Sequence, residues 1–171
     1  MEMDRNLIYG ELTYKGLTKL FKNLEKNNQI NSNSTFVDIG SGYGKIVRWV
    51  AEMYNIPCYG IEIDKEKHDI AKKITKWSHV REKILLMNES FVDCKDIIKE
   101  STIVFTNNVM FDLALNKELW QSLHDNCIFL HNSPSLKIFS SVHNEPINLK
   151  WSWNKEKDKT SPIYKINTKD V

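Results

Sequence analysis

A run of nine residues, Val37-Asp38-Ile39-Gly40-Ser41-Gly42-Tyr43-Gly44-Lys45, constrains this chain more than any other. A short apolar stretch, Thr35 to Ile39, enters a glycine cluster, and Ile46, Val47, Val50, Ala51 and Tyr54 then recur at helical spacing. The run therefore reads as strand, tight turn, helix. Glycine suits such a turn because the backbone must reverse sharply and let a ligand approach with no side chain in the way. Glu62 lies 22 residues beyond Gly40, at the end of a second predicted strand, Pro57 to Ile63. A carboxylate there can accept hydrogen bonds from ribose hydroxyls. A glycine trio alone says little, but the order strand, turn, helix, strand, acid points to a nucleotide-type ligand. The competing reading is a glycine-rich turn that binds nothing.

The rest of the chain continues the alternation. Leu17, Leu20, Phe21 and Leu24 predict an amphipathic helix ahead of a polar connector, Asn27 to Ser34. A third helix is expected over Lys65 to His79, with Ile70, Ile74 and Trp77 as its buried stripe. Further strands are expected at Ile84–Met87, Thr102–Asn107 and Cys127–His131, with a helix at Leu113–Leu123. The final segments, Pro146 to Trp153 and Ser161 to Thr168, read as a pair joined by a charged turn. Strands alternating with helices imply an α/β fold with a mostly parallel sheet and antiparallel C-terminal strands. No internal repeat or interdomain linker interrupts it, so one domain over residues 1–171 is expected.

The glycine spacing is G-x-G-x-G, which is not the dinucleotide pattern, and Lys45 is followed by Ile46, which excludes a phosphate-binding P-loop. Asp38, just ahead of the glycines, would repel a pyrophosphate. It suits a ligand carrying an amino group and a sulfonium, and that description fits S-adenosylmethionine.

Composition removes other classes. With 24 basic and 22 acidic residues the net charge is +2, unlike a dedicated nucleic-acid carrier. No apolar run reaches the ~20 residues of a membrane span, and Met1-Glu2-Met3-Asp4 opens no signal peptide, so an intracellular protein is expected. Cys58, Cys94 and Cys127 lack metal-ligand or disulfide spacing, and the five histidines lack it too, so no metal site is expected. Lysine outnumbers arginine 21 to 3, and 17 asparagines and 18 isoleucines accompany that bias, as an AT-rich genome would encode. Lys65 to Lys83 carries seven basic and three acidic residues, and Lys150 to Val171 six and three. These segments read as solvated faces, with contact to nucleic acid or an acidic protein surface as the alternative. Asp64 and Asp112 read as helix caps.

Several segments together resemble the disruptor-of-telomeric-silencing (Dot-one-like) family of histone H3 lysine methyltransferases, with a class I, Rossmann-like methyltransferase fold. Tyr9-Gly10-Glu11-Leu12-Thr13 is similar to the motif ahead of that family's first helix, and Phe36 to Gly44 to its cofactor loop. Tyr59-Gly60-Ile61-Glu62 resembles its ribose-binding strand, and Asn107-Asn108-Val109-Met110-Phe111 its Asn-Asn motif. Trp151-Ser152-Trp153 and Pro162 to Lys165 resemble its closing strands. The resemblance implies S-adenosylmethionine held by Tyr9, Glu11, Thr13, Asp38, Gly40, Gly42, Gly44, Lys45, Glu62, Ser90, Phe91 and Asn107. It implies catalytic roles for Asn107, Phe111 and Tyr164. Ser90 stands where the family usually has an aspartate that reads adenine, and Lys45 where it usually has glutamine. The chain looks like a minimal version without the family's N-terminal lobe.

The implied activity is S-adenosylmethionine-dependent protein-lysine N-methylation, with histone H3 in the nucleosome as substrate and a nuclear location. The alternatives are a broad-specificity methyltransferase on non-histone lysines, which would be cytoplasmic, an RNA methyltransferase, or an inactive cofactor-binding module. Val109 and Met110 replace the two prolines of adenine-directed enzymes, which lowers that option. Phe105, Phe111, Trp151, Trp153 and Tyr164 are candidate walls for a lysine channel, each with plain core packing as its alternative.

Overall fold

The computed structural model describes residues 11–133, 136 and 145–170. Twelve helices and strands follow one another among them: α1 (Tyr14–Lys26), β1 (Phe36–Ile39), α2 (Lys45–Tyr54), β2 (Cys58–Ile61), α3 (Lys65–Thr75), β3 (Ile84–Met87), α4 (Lys95–Glu100), β4 (Ile103–Thr106), α5 (Leu113–Ser122), β5 (Ile128–His131), β6 (Glu145–Leu149) and β7 (Ser161–Asn167). The seven strands form one sheet in the order β3-β2-β1-β4-β5-β7-β6. β1 to β5 pair in parallel, while β7 is antiparallel to both β5 and β6. Only β7 is therefore reversed, because β6 regains the direction of the first five strands.

Strand periodicity sorts the core into two layers. Phe36, Cys58, Ile103, Phe105 and Leu130 face α1 and α2, whose Leu17, Leu20, Phe21, Val47 and Val50 pack onto them. Val37, Ile39, Val104 and Phe129 face the other way, toward α4 and α5 with Ile98 and Leu119. The same alternation puts Asp38 on the α1/α2 side with Phe36, which explains why a carboxylate at a strand end is only 3% exposed. The cap readings hold: Asp64 and Asp112 accept from Lys67 N and Leu115 N at 3.1 and 2.8 Å.

The stripe expected to bury α3 does not. His68, Ala71 and Thr75 are the residues the helix turns inward, while Ile74 is 45% and Trp77 89% exposed. The cause lies in what the helix packs on. A Cβ at Gly44 would meet Ala71 Cβ at 3.3 Å, so α3 approaches the glycine turn through a small residue and leaves the larger apolar ones outside.

Candidate functional site

The order of strands reverses at β1, with β2 and β3 on one side and β4 and β5 on the other. Parallel sheets bind ligands in the crevice beyond the strand ends at such a switch point. A cleft of about 150 Å³ lies there, floored by Asp38 of β1 with Gly40 and Ser41 just after it, Glu62 after β2, Phe105 of β4 and Asn107 just after that strand. Glu11, Leu12 and Trp151 wall it, with Lys45 and Val109 also at its rim.

The three loop glycines have three different tasks. Gly40, at φ +78°, presents open space where a side chain would stand, with nothing within 4 Å of an added Cβ. Gly42 donates its amide to Glu62 Oε2 at 2.7 Å. Gly44 begins α2 in the left-handed region and takes the close pass of α3. The loop also descends tightly on β2: a Cβ on Gly60 would lie 2.8 Å from Ser41 Oγ and 2.7 Å from Leu86 Cδ2.

Glu62 is itself fixed, its second oxygen accepting from Asp64 N at 2.8 Å. Asn88 Nδ2 donates to the Glu62 and Ile63 carbonyls, which anchors the end of β2 to β3. Asp38 faces Glu62 and Glu11. Burial first, then the negative charge of Glu62 and of Glu11, pushes its pKa up to about 8.

The wall is a strap built from two distant segments. Leu12 bridges Trp151 in antiparallel fashion, Thr13 N donates to Lys150 O at 3.0 Å, and Ser152 N to Glu11 O at 2.8 Å. Thr13 Oγ1 donates to Lys150 O and accepts from Gly16 N, which caps α1. Lys45 pins the strap to α2: its Nζ donates to Leu12 O at 2.9 Å, lies 3.8 Å from Glu11 Oε2, and sits 4.5 Å from the centre of the Tyr14 ring. Trp151 stacks on Trp153 with centroids 4.5 Å apart.

After β4, an asparagine network replaces a simple turn. Asn132 Nδ2 donates to Asn107 Oδ1, and Asn108 Nδ2 to Asn116 Oδ1 at 2.7 Å. Asn132 N donates to Asn108 Oδ1 at 3.1 Å, and Asn116 Nδ2 to Ser133 Oγ at 3.3 Å. Asn116, Asn132 and Ser133 were not singled out from the sequence, because one asparagine among 17 carries no positional signal.

The structure therefore brings Glu11, Asp38, Gly40, Lys45, Glu62 and Asn107 to one cleft, and of the candidate aromatic walls Phe105 and Trp151. Ser90, Phe91, Phe111, Trp153 and Tyr164 are not among its lining residues. Phe91 and Phe111 stack on one another at 5.8 Å, and Tyr164 stacks on His131 at 5.4 Å. Tyr9 and Gly10 lie outside the described residues. No group of three or more candidate metal ligands gathers among the described residues.

A reversed β7 between β5 and β6, a glycine turn after β1 and an acid after β2 define the Rossmann-like class I methyltransferase fold. An RNA methyltransferase from Salinibacter ruber, solved with S-adenosyl-L-homocysteine, superposes with a TM-score of 0.64 at 16% identity, over 87% of this chain and 90% of that one. A SAM-dependent methyltransferase from Thiobacillus denitrificans gives 0.56 at 18% identity, over 81% and 51%. The family is fixed by sequence: residues 2–142 match the family described as "Histone methylation protein DOT1", and the chain belongs to it. A histone-lysine N-methyltransferase, H3 lysine-79 specific, of Kluyveromyces lactis is 32% identical over 127 residues, 67% of this chain and 22% of that protein. The enzyme of the same description from Emericella nidulans is 28% identical over 164 residues, 83% and 31%. The chain thus spans less than a third of either relative's length.

Proposed function

We propose that this chain is a single methyltransferase domain that uses S-adenosylmethionine to methylate protein lysine, with histone H3 as the substrate its family favours. The observation carrying the proposal is the acid-lined cleft at the switch point, where Glu11, Asp38 and Glu62 converge beside open backbone at Gly40. Three carboxylates suit a ligand with ammonium and sulfonium charges and repel a pyrophosphate. S-adenosylmethionine, when bound, supplies a methyl group already activated for displacement.

The protein's own residues then position the reactants and favour a neutral lysine. Glu62 receives the ribose hydroxyls, Glu11 balances the ligand's positive charge, Asp38 gives up its proton to do the same as the cation binds, and Gly40 and Ser41 admit the ligand closely. Asn107 orients the methionine end, with Asn132 holding its amide. Lys45 keeps the strap, and with it Glu11, over the cleft. Val109 and Met110, exposed at the rim, border the lysine side, whereas Ser90, Phe91, Phe111 and Tyr164 stand outside the lining and would shape the site only from behind it. A substrate lysine, with a free pKa near ~10.4, must shed its proton to attack. Apolar and aromatic walls favour its neutral form, as does a neighbouring cation. No dedicated base is then needed. A histone substrate places the protein in the nucleus.

The test offers tritiated-methyl S-adenosylmethionine to nucleosomes, free histones and RNA side by side. Label on histone H3, abolished by Asn107→Ala, is expected. Label confined to RNA, or cofactor binding with no transfer, overturns the lysine assignment. Glu62→Ala is expected to weaken cofactor affinity at least about tenfold in calorimetry, the scale of losing a charge-assisted hydrogen bond.

A further inference from the structure

Trp77 stands 89% exposed at the far end of α3, and Ile74, three residues earlier, is 45% exposed. Residues three and four apart share a helix face, and Lys76 still has helical backbone, so Lys73, Ile74 and Trp77 form one outward stripe. Lys72 and Lys76 flank it, both exposed. From Lys72 to Lys83 there are five basic residues and one acidic, Glu82. The acids of this helix lie in its first half, where Asp69 is paired with Lys65 and Asp64 with Lys67. None of Lys72, Lys73, Lys76 or Arg81 makes a salt bridge among the described residues.

Helix-dipole compensation accounts for lysines in a last turn. It does not account for a tryptophan held in water. Nor is Trp77 on a loose segment. Its flanking residues Thr75, Ser78 and Val80 are buried, its amide bonds to Ile74 O at 3.1 Å, and Ser78 Oγ donates to Glu52 Oε1 at 3.0 Å. A firmly anchored turn thus carries an indole outward between ammonium groups.

We propose that this face binds single-stranded nucleic acid, with a base stacked on Trp77 and phosphates running along Lys72, Lys73, Lys76 and Arg81. Exposed flat aromatics interleaved with positive charge are the common basis of such binding, since every base has a π-face and every linkage a charge. An acidic protein would use the charges but gain little from a flat indole. The face lies a helix length, about 20 Å at ~1.5 Å per residue, from Glu62. It is therefore separate from the methyl-transfer cleft and does not depend on that assignment.

The experiment measures fluorescence anisotropy of a fluorescein-labelled single-stranded oligonucleotide without cofactor, beside its duplex and polyglutamate. Trp77→Ala is expected to weaken single-strand binding about tenfold, the scale of one lost base stack, and Trp77→Phe to restore most of it. The triple variant Lys72→Gln, Lys73→Gln, Lys76→Gln is expected to flatten the slope of log affinity against log salt by about 2. Circular dichroism and cofactor affinity of all three variants should match the parent protein. Equal binding by Trp77→Ala and the parent, or duplex binding indifferent to Trp77, overturns the proposal. So does binding of polyglutamate with none of the oligonucleotide, which makes the face a dock for acidic protein.

Discussion

Replacing Asp38 with asparagine isolates the cost of keeping an acid in this cleft. The carboxyl is buried, and its pKa is pushed from an ordinary 3.8 up to about 8 by desolvation, with Glu62 and Glu11 adding to the shift. Between those values the native protein holds a proton that the unfolded chain has released, so stability falls as pH rises through this window. It is greatest below 3.8 and levels off above about 8. One proton contributes about 1.4 kcal/mol per pH unit. From pH 5 to pH 7 the parent protein should therefore lose about 3 kcal/mol more stability than Asp38→Asn, which has nothing to titrate there. Comparing slopes cancels whatever the amide itself gains or loses by burial. The assay is urea unfolding followed by circular dichroism at pH 5, 6 and 7. If Asp38 meets the ligand's positive charge as proposed, the variant should also bind S-adenosylmethionine more weakly. Parallel stability profiles for the two proteins would refute the reasoning and show that Asp38 is ionised in the free protein.

Other consequences are equally direct. Gly60→Ala drives a methyl group against Ser41 and Leu86 and should cost about 1–3 kcal/mol in the same unfolding assay; an unchanged midpoint would mean that the loop yields. Lys45→Met keeps the stem but removes the donor to Leu12 O. Amide exchange at Thr13 and Ser152 should quicken about 2–10-fold, as the loss of one hydrogen bond allows, and the KM for cofactor should rise. Burial raises the thiols of Cys58, Cys127 and Cys94 to about 12, 11 and 11. At pH 8 the native protein should react slowly with Ellman's reagent while the urea-unfolded chain titrates three thiols at once.

The parts of the molecule that sequence made legible are those where local chemistry has one solution. A glycine turn between a buried strand and an amphipathic helix has few alternatives, and Asp38, Gly40 and Glu62 stand where that pattern put them. Asp64 and Asp112 announced their helices for the same reason. What stayed hidden depends on partners far along the chain. The α3 stripe of Ile70, Ile74 and Trp77 has proper helical spacing, but Ala71 against Gly44 decides which side packs. α4, at Lys95–Glu100, is too short to show a period. The amides of Asn116 and Asn132 meet Asn108 and Asn107 across gaps of 8 and 25 residues, with nothing in composition to mark them. Lys165 is buried with its ammonium donating to Asn23 and Gln29, each at 3.0 Å. A lysine in a charged tail gave no sign of that.

The strap joining Leu12 to Trp151 has a consequence for the order of biosynthesis. Its hydrogen-bonding halves are 137 and 141 residues apart along the chain, so closing it is among the longest loop closures the fold requires. A nascent polypeptide that has emerged from the ribosome only as far as β5 already holds the glycine turn, Glu62 and Asn107. It still has no roof over them. The wall of the cleft therefore closes only after translation has passed the tryptophan pair, long after its floor has been made.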